Sequence, residues 1–253
     1  MTSAPLLELS EVGKNFGGFA ALKAVSFTVP TGGITGLMGP NGSGKTTLFN
    51  IISGFIAPSN GTVAYRGKAI GHQSVQERSL DGLVRTFQTP KVFERLTVVE
   101  NVMTGAYKKT RSGLMAGLLN TPASRREIDA TREAALSTCR KFDLGAVAGK
   151  QASLLPAGQR RLLELARAYQ GDPQLLLLDE PSSGLTTTEI EAMTDKLRLI
   201  ASEGITILIV SHDMDLMGIA ENIHVLDFGR IICSGSMAEV QENTAVREAY
   251  LGV

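Results

Sequence analysis

The stretch Gly39-Pro40-Asn41-Gly42-Ser43-Gly44-Lys45-Thr46-Thr47 constrains this chain more than any other. It fits G-x-x-x-x-G-K-[ST], the spacing of a phosphate-binding loop. Its glycines let the backbone wrap closely around an anion, so that successive N–H groups point at phosphate oxygens. Lys45 adds a cation for the β- and γ-phosphates of a nucleotide. The Thr46 hydroxyl can take one position on Mg²⁺, a cation that keeps several waters and uses few protein ligands. The flanks suit the loop. Gly33 to Met38 reads as a short buried strand, and Thr47 to Ile52 as a helix whose N-terminus favours the anion.

The rest of the composition narrows the class. A chain of 253 residues can bury a large core. Its 25 Lys and Arg balance 25 Asp and Glu, which argues against a nucleic-acid-binding surface. Apolar runs such as Ile205 to Val210 are strand-length, well short of the roughly 20 residues of a membrane span. Met1 to Pro5 lacks the pattern of a secretory signal. Cys139 and Cys233 stand apart, without metal-ligand spacing, and are expected as reduced thiols of a cytosolic protein.

Leu6 to Leu9, Ala24 to Val29 and Thr62 to Arg66 read as strands, so antiparallel β-structure surrounds the phosphate loop. Phe16 lies on this layer, where an aromatic ring can stack on a nucleotide base. Gly82 to Gln88 reads as a further strand ending in a polar residue. From there the chain changes character. Leu96 to Val102 looks like the entry to a helix, Lys108 to Ser124 is basic and weakly patterned, and Glu127 to Leu144 has helical periodicity. Gln159 to Ala168 is a strong helix, with Arg160 and Arg161 outward and Leu162, Leu163, Leu165 and Ala166 inward.

Leu175-Leu176-Leu177-Leu178 suits a parallel strand buried on both faces, and it ends in Asp179-Glu180. Ligands of open α/β sheets gather where parallel strands end. Adjacent strand residues point to opposite sides, so the two acids can take separate roles. Asp179 is the expected Mg²⁺-side carboxylate, and Glu180 is free to orient or deprotonate water. A helix from Thr188 to Ile200 precedes the buried strand Ile205 to Val210, which ends Ser211-His212-Asp213. His212 therefore falls at the same edge. Ile223 to Ile232 reads as a hairpin turning near Phe228-Gly229, with His224 a surface strand residue, and a charged helix from Met237 to Tyr250 closes the chain.

In this order the motifs resemble the ATP-binding cassette ATPases along nearly the whole chain. The phosphate loop matches from Gly39 to Thr47, Gln88 the glutamine loop, Leu175 to Glu180 the Walker B strand with its catalytic glutamate, and His212 the switch histidine. Phe16 stands where the family has its adenine-stacking aromatic. The resemblance implies an α/β fold with a phosphate-loop RecA-like core, an antiparallel β subdomain and an inserted helical subdomain. The expected division of this single 1–253 cassette is 1–88 and 160–253 for the core and 89–159 for the helices. It implies ATP and Mg²⁺ as ligands, with Thr46, Gln88 and Asp179 toward the metal and Glu180, Gln88 and His212 toward the chemistry. Implied partners are membrane permease subunits, a second cassette in a heterodimer before a homodimer, and indirectly a solute-binding protein. The expected place is the cytoplasmic face of the cell membrane, held peripherally.

Asn101 to Gly105, the insert from Gly113 to Arg126, the Pro-containing segment Leu155 to Gln159, Ser211 to Met214 and the closing Ala249-Tyr250-Leu251-Gly252 resemble the ATPases of branched-chain amino acid importers. Importers of urea or amides share much of this wording. A cassette acting on DNA or the ribosome is disfavoured by the absence of a long coiled-coil insert or a second cassette. A GTPase would need an Asn-Lys-x-Asp segment, which the chain lacks.

Two segments depart from the family. The signature reads Leu155-Pro156-Ala157-Gly158-Gln159 in place of Leu-Ser-Gly-Gly-Gln, and Ser183-Gly184-Leu185 is followed by Thr186 rather than Asp. In the family one chain's signature closes over the ATP of the other. Pro156 offers neither an N–H nor a hydroxyl, and Ala157 adds a Cβ where the family has glycine. The signature is therefore expected to be a weak lid for another chain's ATP, while Lys45 and Glu180 remain competent. ATPase of the chain alone should fall well below that of the chain with a partner cassette and permease. Glu180→Gln should cost more than the equivalent change in the partner. Equal rates, or the reverse order of cost, refute the asymmetry.

Overall fold

Four consecutive leucines need apolar cover on both faces, and the fold supplies it. The computed structural model describes residues 4–108 and 122–251. Most of the basic stretch from Lys108 to Ser124, the start of the insert at Gly113, and Gly252 lie outside them.

The chain forms two compact units. The first runs to Gln88 and resumes at Gln174, and the second is Thr89–Pro173. The first unit opens with β1 (Leu7–Phe16), β2 (Phe19–Val29), β3 (Ile34–Met38), α1 (Lys45–Ser53), β4 (Asn60–Tyr65), β5 (Lys68–Ala69), α2 (Val75–Leu80) and β6 (Leu83–Arg85). The second holds α3 (Val98–Gly105), α4 (Pro122–Lys141) and α5 (Ala157–Gln170). The first unit then continues through β7 (Leu175–Asp179), α6 (Thr187–Ser202), β8 (Thr206–Val210), α7 (Met214–Met217), β9 (Asn222–Asp227), β10 (Arg230–Gly235), α8 (Met237–Glu242) and α9 (Thr244–Leu251).

Two sheets organise the first unit. An antiparallel sheet has the order β2-β1-β4-β5, and a second the order β10-β9-β3-β8-β7-β6. In the latter β9, β3, β8, β7 and β6 are parallel, with Ile34 opposite Ile207 and Leu177 opposite Leu208. Every residue of β3, β7 and β8 is buried. Leu48, Phe49, Ile51 and Ile52 of α1 share one apolar cluster with Leu7 and Leu9 of the first sheet and Leu37, Leu177 and Leu208 of the second. This places the phosphate-loop helix in the core that the two sheets share. Because the strands run parallel, the loop after β3, Asp179 at the end of β7 and the segment after β6 come out at one sheet edge.

In the second unit a buried asparagine does the organising. Asn101 Nδ2 donates to the carbonyls of Phe93, Leu96 and Thr97, and its Oδ1 accepts from Phe93 N–H at 2.8 Å. The α3 helix starts from a reciprocal cap in which the Thr97 hydroxyl and Glu100 each bond the other's backbone N–H. At its end Gly105 lies so close to the Arg167 carbonyl of α5 that a Cβ would collide with it.

Several expectations change. A boundary at residue 159/160 would cut α5 in its first turn; the unit continues to Pro173, because α5 runs unbroken to Gln170 with Leu163, Leu165 and Ala166 all buried. Arg161 is buried rather than outward, 3.7 Å from the buried Glu164 carboxylate on the same face. His224 is also buried, not on the surface. Its ring lies 4.6 Å from that of Phe27, and its Nδ1 is 2.8 Å from Ser234 Oγ. The closing helix is two helices, since Asn243 adopts an extended backbone and its Oδ1 accepts from Val246 N–H to start the second.

Arg78 is 2% exposed and had no sequence signal. Its Nη1 donates to the Ile51 and Ile52 carbonyls at 2.6 and 2.7 Å, its Nη2 to Ile70 and its Nε to Gln73. The first two belong to the last turn of α1, where a cation suits the dipole, and Ile51 O also accepts from the Gly54 N–H. Arg78→Met should lower unfolding free energy by about 3 kcal/mol, through lost charge-assisted hydrogen bonds to buried carbonyls. Urea unfolding measures it, and a loss below about 1 kcal/mol would show that these bonds are replaceable.

Candidate functional site

The site is built on the turn between β3 and α1. Gly39 has φ 150°, and a Cβ there would collide with the Leu226 carbonyl and come 2.8 Å from Ser43 Oγ. Gly229 N–H donates to Ser43 O at 2.9 Å and braces the loop from the β9–β10 turn. That turn has positive φ at both Phe228 and Gly229, which suits the twist of a two-residue hairpin. Lys45 Nζ donates to the carbonyls of Gly39 and Pro40 at 2.7 and 2.8 Å, so the loop holds its own cation in place. Among the described residues the buried Ser43 hydroxyl has no hydrogen-bond partner, and such an orphan fits a loop made to receive an anion.

A cleft of about 330 Å³ opens on this loop. Asn41, Gly42 and Gly44 to Thr47 form one side. Gln88, Asp179, Glu180 and Val210 face it from the ends of β6, β7 and β8. Burial pushes the Lys45 ammonium below the ordinary lysine pKa of 10.5, while the charges of Glu180 and then Asp179 draw it partly back. The lysine thus feels both carboxylates of the strand end.

Glu180 stands on a left-handed backbone, φ 49°, a conformation that costs about 1–3 kcal/mol in a non-glycine residue and gathers at functional sites. Its N–H bonds Val210 O at 2.8 Å, which ties the turn to the end of β8. Its Oε2 lies 2.7 Å from His212 Nδ1. The imidazole is 70% exposed and the carboxylate 14%, so this pair joins solvent to the floor of the cleft. With the proton on Nδ1, His212 donates to Glu180 and holds its rotamer. Asp179 is buried, and its Oδ2 accepts from Arg85 Nη2 at 2.8 Å.

The structure brings together Lys45, Thr46, Thr47, Gln88, Asp179 and Glu180 in the cleft, with Gly39, Pro40 and Ser43 in the loop behind it and His212 on Glu180. Phe16 is not among the cleft's lining residues. Its ring lies under Lys14 Nζ at 5.2 Å, and the aromatic ring on the cleft is its strand partner Phe19, which is largely exposed. The signature residues belong to the second unit. Pro156 is the N-cap of α5 with φ −63° and no side-chain capping bond; Leu155 and Gly158 are buried, Pro156 and Ala157 exposed, and Gln159 half-buried. Sequence reading missed Phe19 and Arg85. The first opens β2 just after the Gly17-Gly18 turn, three residues beyond Phe16, and the second is a charge within the short apolar run of β6.

Metal fit follows from the donor set. Among the described residues no group of three or more His, Cys, Asp or Glu could hold a metal ion by itself. The cleft offers the Thr46 hydroxyl, the Gln88 amide and the Asp179 carboxylate, all hard oxygen donors. That suits Mg²⁺ shared with nucleotide phosphates rather than a protein cage. No helix of the described residues is long and apolar enough to cross a membrane.

Residues 22–183 match the ABC transporter family, and residues 230–253 match a family described as branched-chain amino acid ATP-binding cassette transporter. The chain is 37% identical over 252 residues to the high-affinity branched-chain amino acid transport ATP-binding protein LivG of Salmonella typhimurium, covering 99% of each. It is 35% identical over 254 residues to BraF of Pseudomonas aeruginosa, which carries the same description, again covering 99% of each. A solved nucleotide-free ATP-binding cassette from an ABC transporter superposes with TM-score 0.85 at 30% identity, over 99% of this chain and 100% of that one.

Lys45 gives the cleft a proton signature. In the free protein its pKa is lowered, so part of the population is neutral just below pH 10.5. A bound triphosphate raises that pKa, and binding in this window must therefore take up protons. Calorimetry at two pH values, one just below pH 10.5 and one well below it, in buffers of different ionisation heat should show a net uptake that is larger at the higher pH. Equal proton counts at both pH values would contradict the placement of Lys45 against the phosphates.

Proposed function

The chain belongs to the ATP-binding cassette family of transporters, and on that premise we propose that it is the ATP-hydrolysing subunit of an importer of branched-chain amino acids. The observation that carries the chemistry is the Glu180–His212 pair at 2.7 Å, set in the same cleft as Lys45, Thr46 and Asp179. Support for the solute comes from the relatives' descriptions, which cover the whole chain, and from the match of its C-terminal segment.

Loop N–H groups, the Ser43 hydroxyl and Lys45 bind the phosphates. Phe19 faces the cleft where a base ring can stack, with Phe16 beside it on the paired strand. Thr46, Gln88 and Asp179 would hold Mg²⁺, which would supply positive charge to offset that of the phosphates. Glu180 accepts the proton of the attacking water. The water oxygen bonds to the γ-phosphorus, the bond to the bridging oxygen breaks, and ADP and phosphate leave. His212 keeps the Glu180 carboxylate oriented and presents its exposed edge toward the γ-phosphate. The protein works with membrane permease subunits and a second cassette at the cytoplasmic face of the cell membrane, and a solute-binding protein delivers the amino acid.

Glu180→Gln keeps the side chain's shape and removes the base. Turnover of the transporter should fall about 10²–10⁴-fold while ATP affinity stays within a few-fold. In cells carrying the variant, uptake of labelled leucine, isoleucine and valine should be lost and uptake of urea unaffected. Normal turnover would remove Glu180 from its role; retained leucine uptake with lost urea uptake would assign the other solute class.

A further inference from the structure

The cleft rests on a charge that none of its motifs includes. Arg85, at the end of β6, is buried to 7% side-chain exposure and makes three hydrogen bonds in two directions. Nη2 donates to Asp179 Oδ2 at 2.8 Å, and Nη1 donates to Asn50 Oδ1 at 2.7 Å and Ser53 Oγ at 2.9 Å in α1. The rings of Phe49, Phe55 and Phe87 surround its guanidinium, with centroids 5.5–5.7 Å from Cζ. Phe55 and Phe87 also meet edge to face at 6.0 Å.

A buried guanidinium is costly, and this one is not fully satisfied, because its Nε finds no acceptor among the described residues. Stability alone would be served as well by an apolar side chain in this aromatic box. What an apolar side chain could not do is hold one oxygen of Asp179. A single planar fork links the Walker-type carboxylate on β7 to the helix that follows the phosphate loop, from a strand end three residues before Gln88.

We propose that Arg85 is a positioning residue for the metal side of the site. By fixing Asp179 Oδ2 against α1 it holds the carboxylate in register with the Thr46 hydroxyl on that helix, leaving Oδ1 as the metal-facing oxygen. Arg85 touches neither nucleotide nor metal. The inference rests on the reading of Asp179 as the Mg²⁺-side carboxylate. Partners that hydrogen-bond a metal ligand are worth 10–100-fold in metal affinity or activity.

The test is nucleotide binding by calorimetry, with and without Mg²⁺, on Arg85→Met, Arg85→Lys, Asp179→Asn and the Arg85→Met/Asp179→Asn pair, alongside the apparent Mg²⁺ constant of ATPase. Met fills the aromatic box without charge. Arg85→Met should weaken Mg²⁺-dependent tightening about 10–100-fold and leave ATP affinity in EDTA within about twofold. Arg85→Lys, which can keep the bond to Asp179 but not the fork, should recover part of the loss. In the Asp179→Asn background Arg85→Met should add nothing to the metal term. If ATP affinity in EDTA falls as much as the Mg²⁺ term, or the two substitutions are additive, Arg85 is a structural residue and the proposal is wrong. If Asp179→Asn itself leaves the Mg²⁺ term unchanged, the reading of Asp179 fails first, and the Arg85 proposal with it.

Discussion

A backbone wrapped around the place of an anion is the constraint on which the first unit depends. Donors of a phosphate loop must point inward, and that leaves little room behind them. Gly39 accordingly abuts the Leu226 carbonyl, and Gly229 N–H closes on Ser43 O. The β9–β10 hairpin is therefore part of the loop's mounting, although it lies almost 200 residues away in sequence. Lys45 bonding the Gly39 and Pro40 carbonyls completes the arrangement from inside. A loop held this way is organised before it meets a phosphate, and preorganised dipoles cost no rearrangement when charge develops.

The helix after the loop is held as firmly at its other end, and two buried arginines do it. Arg78 satisfies carbonyls of the last turn, and Arg85 bonds Asn50 and Ser53 there. Neither is exposed, and each reaches α1 from a different element. The helix thus carries oriented N–H groups at one end and cations at the other, which is the sense its dipole favours. Arg85 alone extends this bracing to Asp179, so the same side chain bears on the helix and on a carboxylate of the cleft.

Strain is concentrated at the reacting side. Glu180 takes a left-handed backbone immediately after a strand buried at every residue, and a hydrogen bond to Val210 O holds it there. The conformation turns the carboxylate out of the strand's alternation and toward His212. A glutamate continuing β7 regularly would alternate from Asp179 to the opposite face; the turn is what lets both acids act on Lys45.

Sequence alone determined what short-range chemistry determines. The loop spacing, the leucine run with its terminal acids, and the turn at Phe228-Gly229 each need only neighbouring residues to be interpreted, and they placed the strands, α1 and the sheet edge. Tertiary structure decided the rest. Arg161 and His224 looked like surface residues because charge and alternation are local signals; both are buried with partners at hand. The division of the chain moved from 159 to 173 because helix packing, not motif position, sets where a unit ends. Phe19 rather than Phe16 came to line the cleft, since a Gly-Gly turn sets which ring of the hairpin faces it. Arg85 was invisible for the same reason: its acceptors lie 32, 35 and 94 residues away, and only the parallel pairing of β6 with β7 and the packing of α1 make them neighbours.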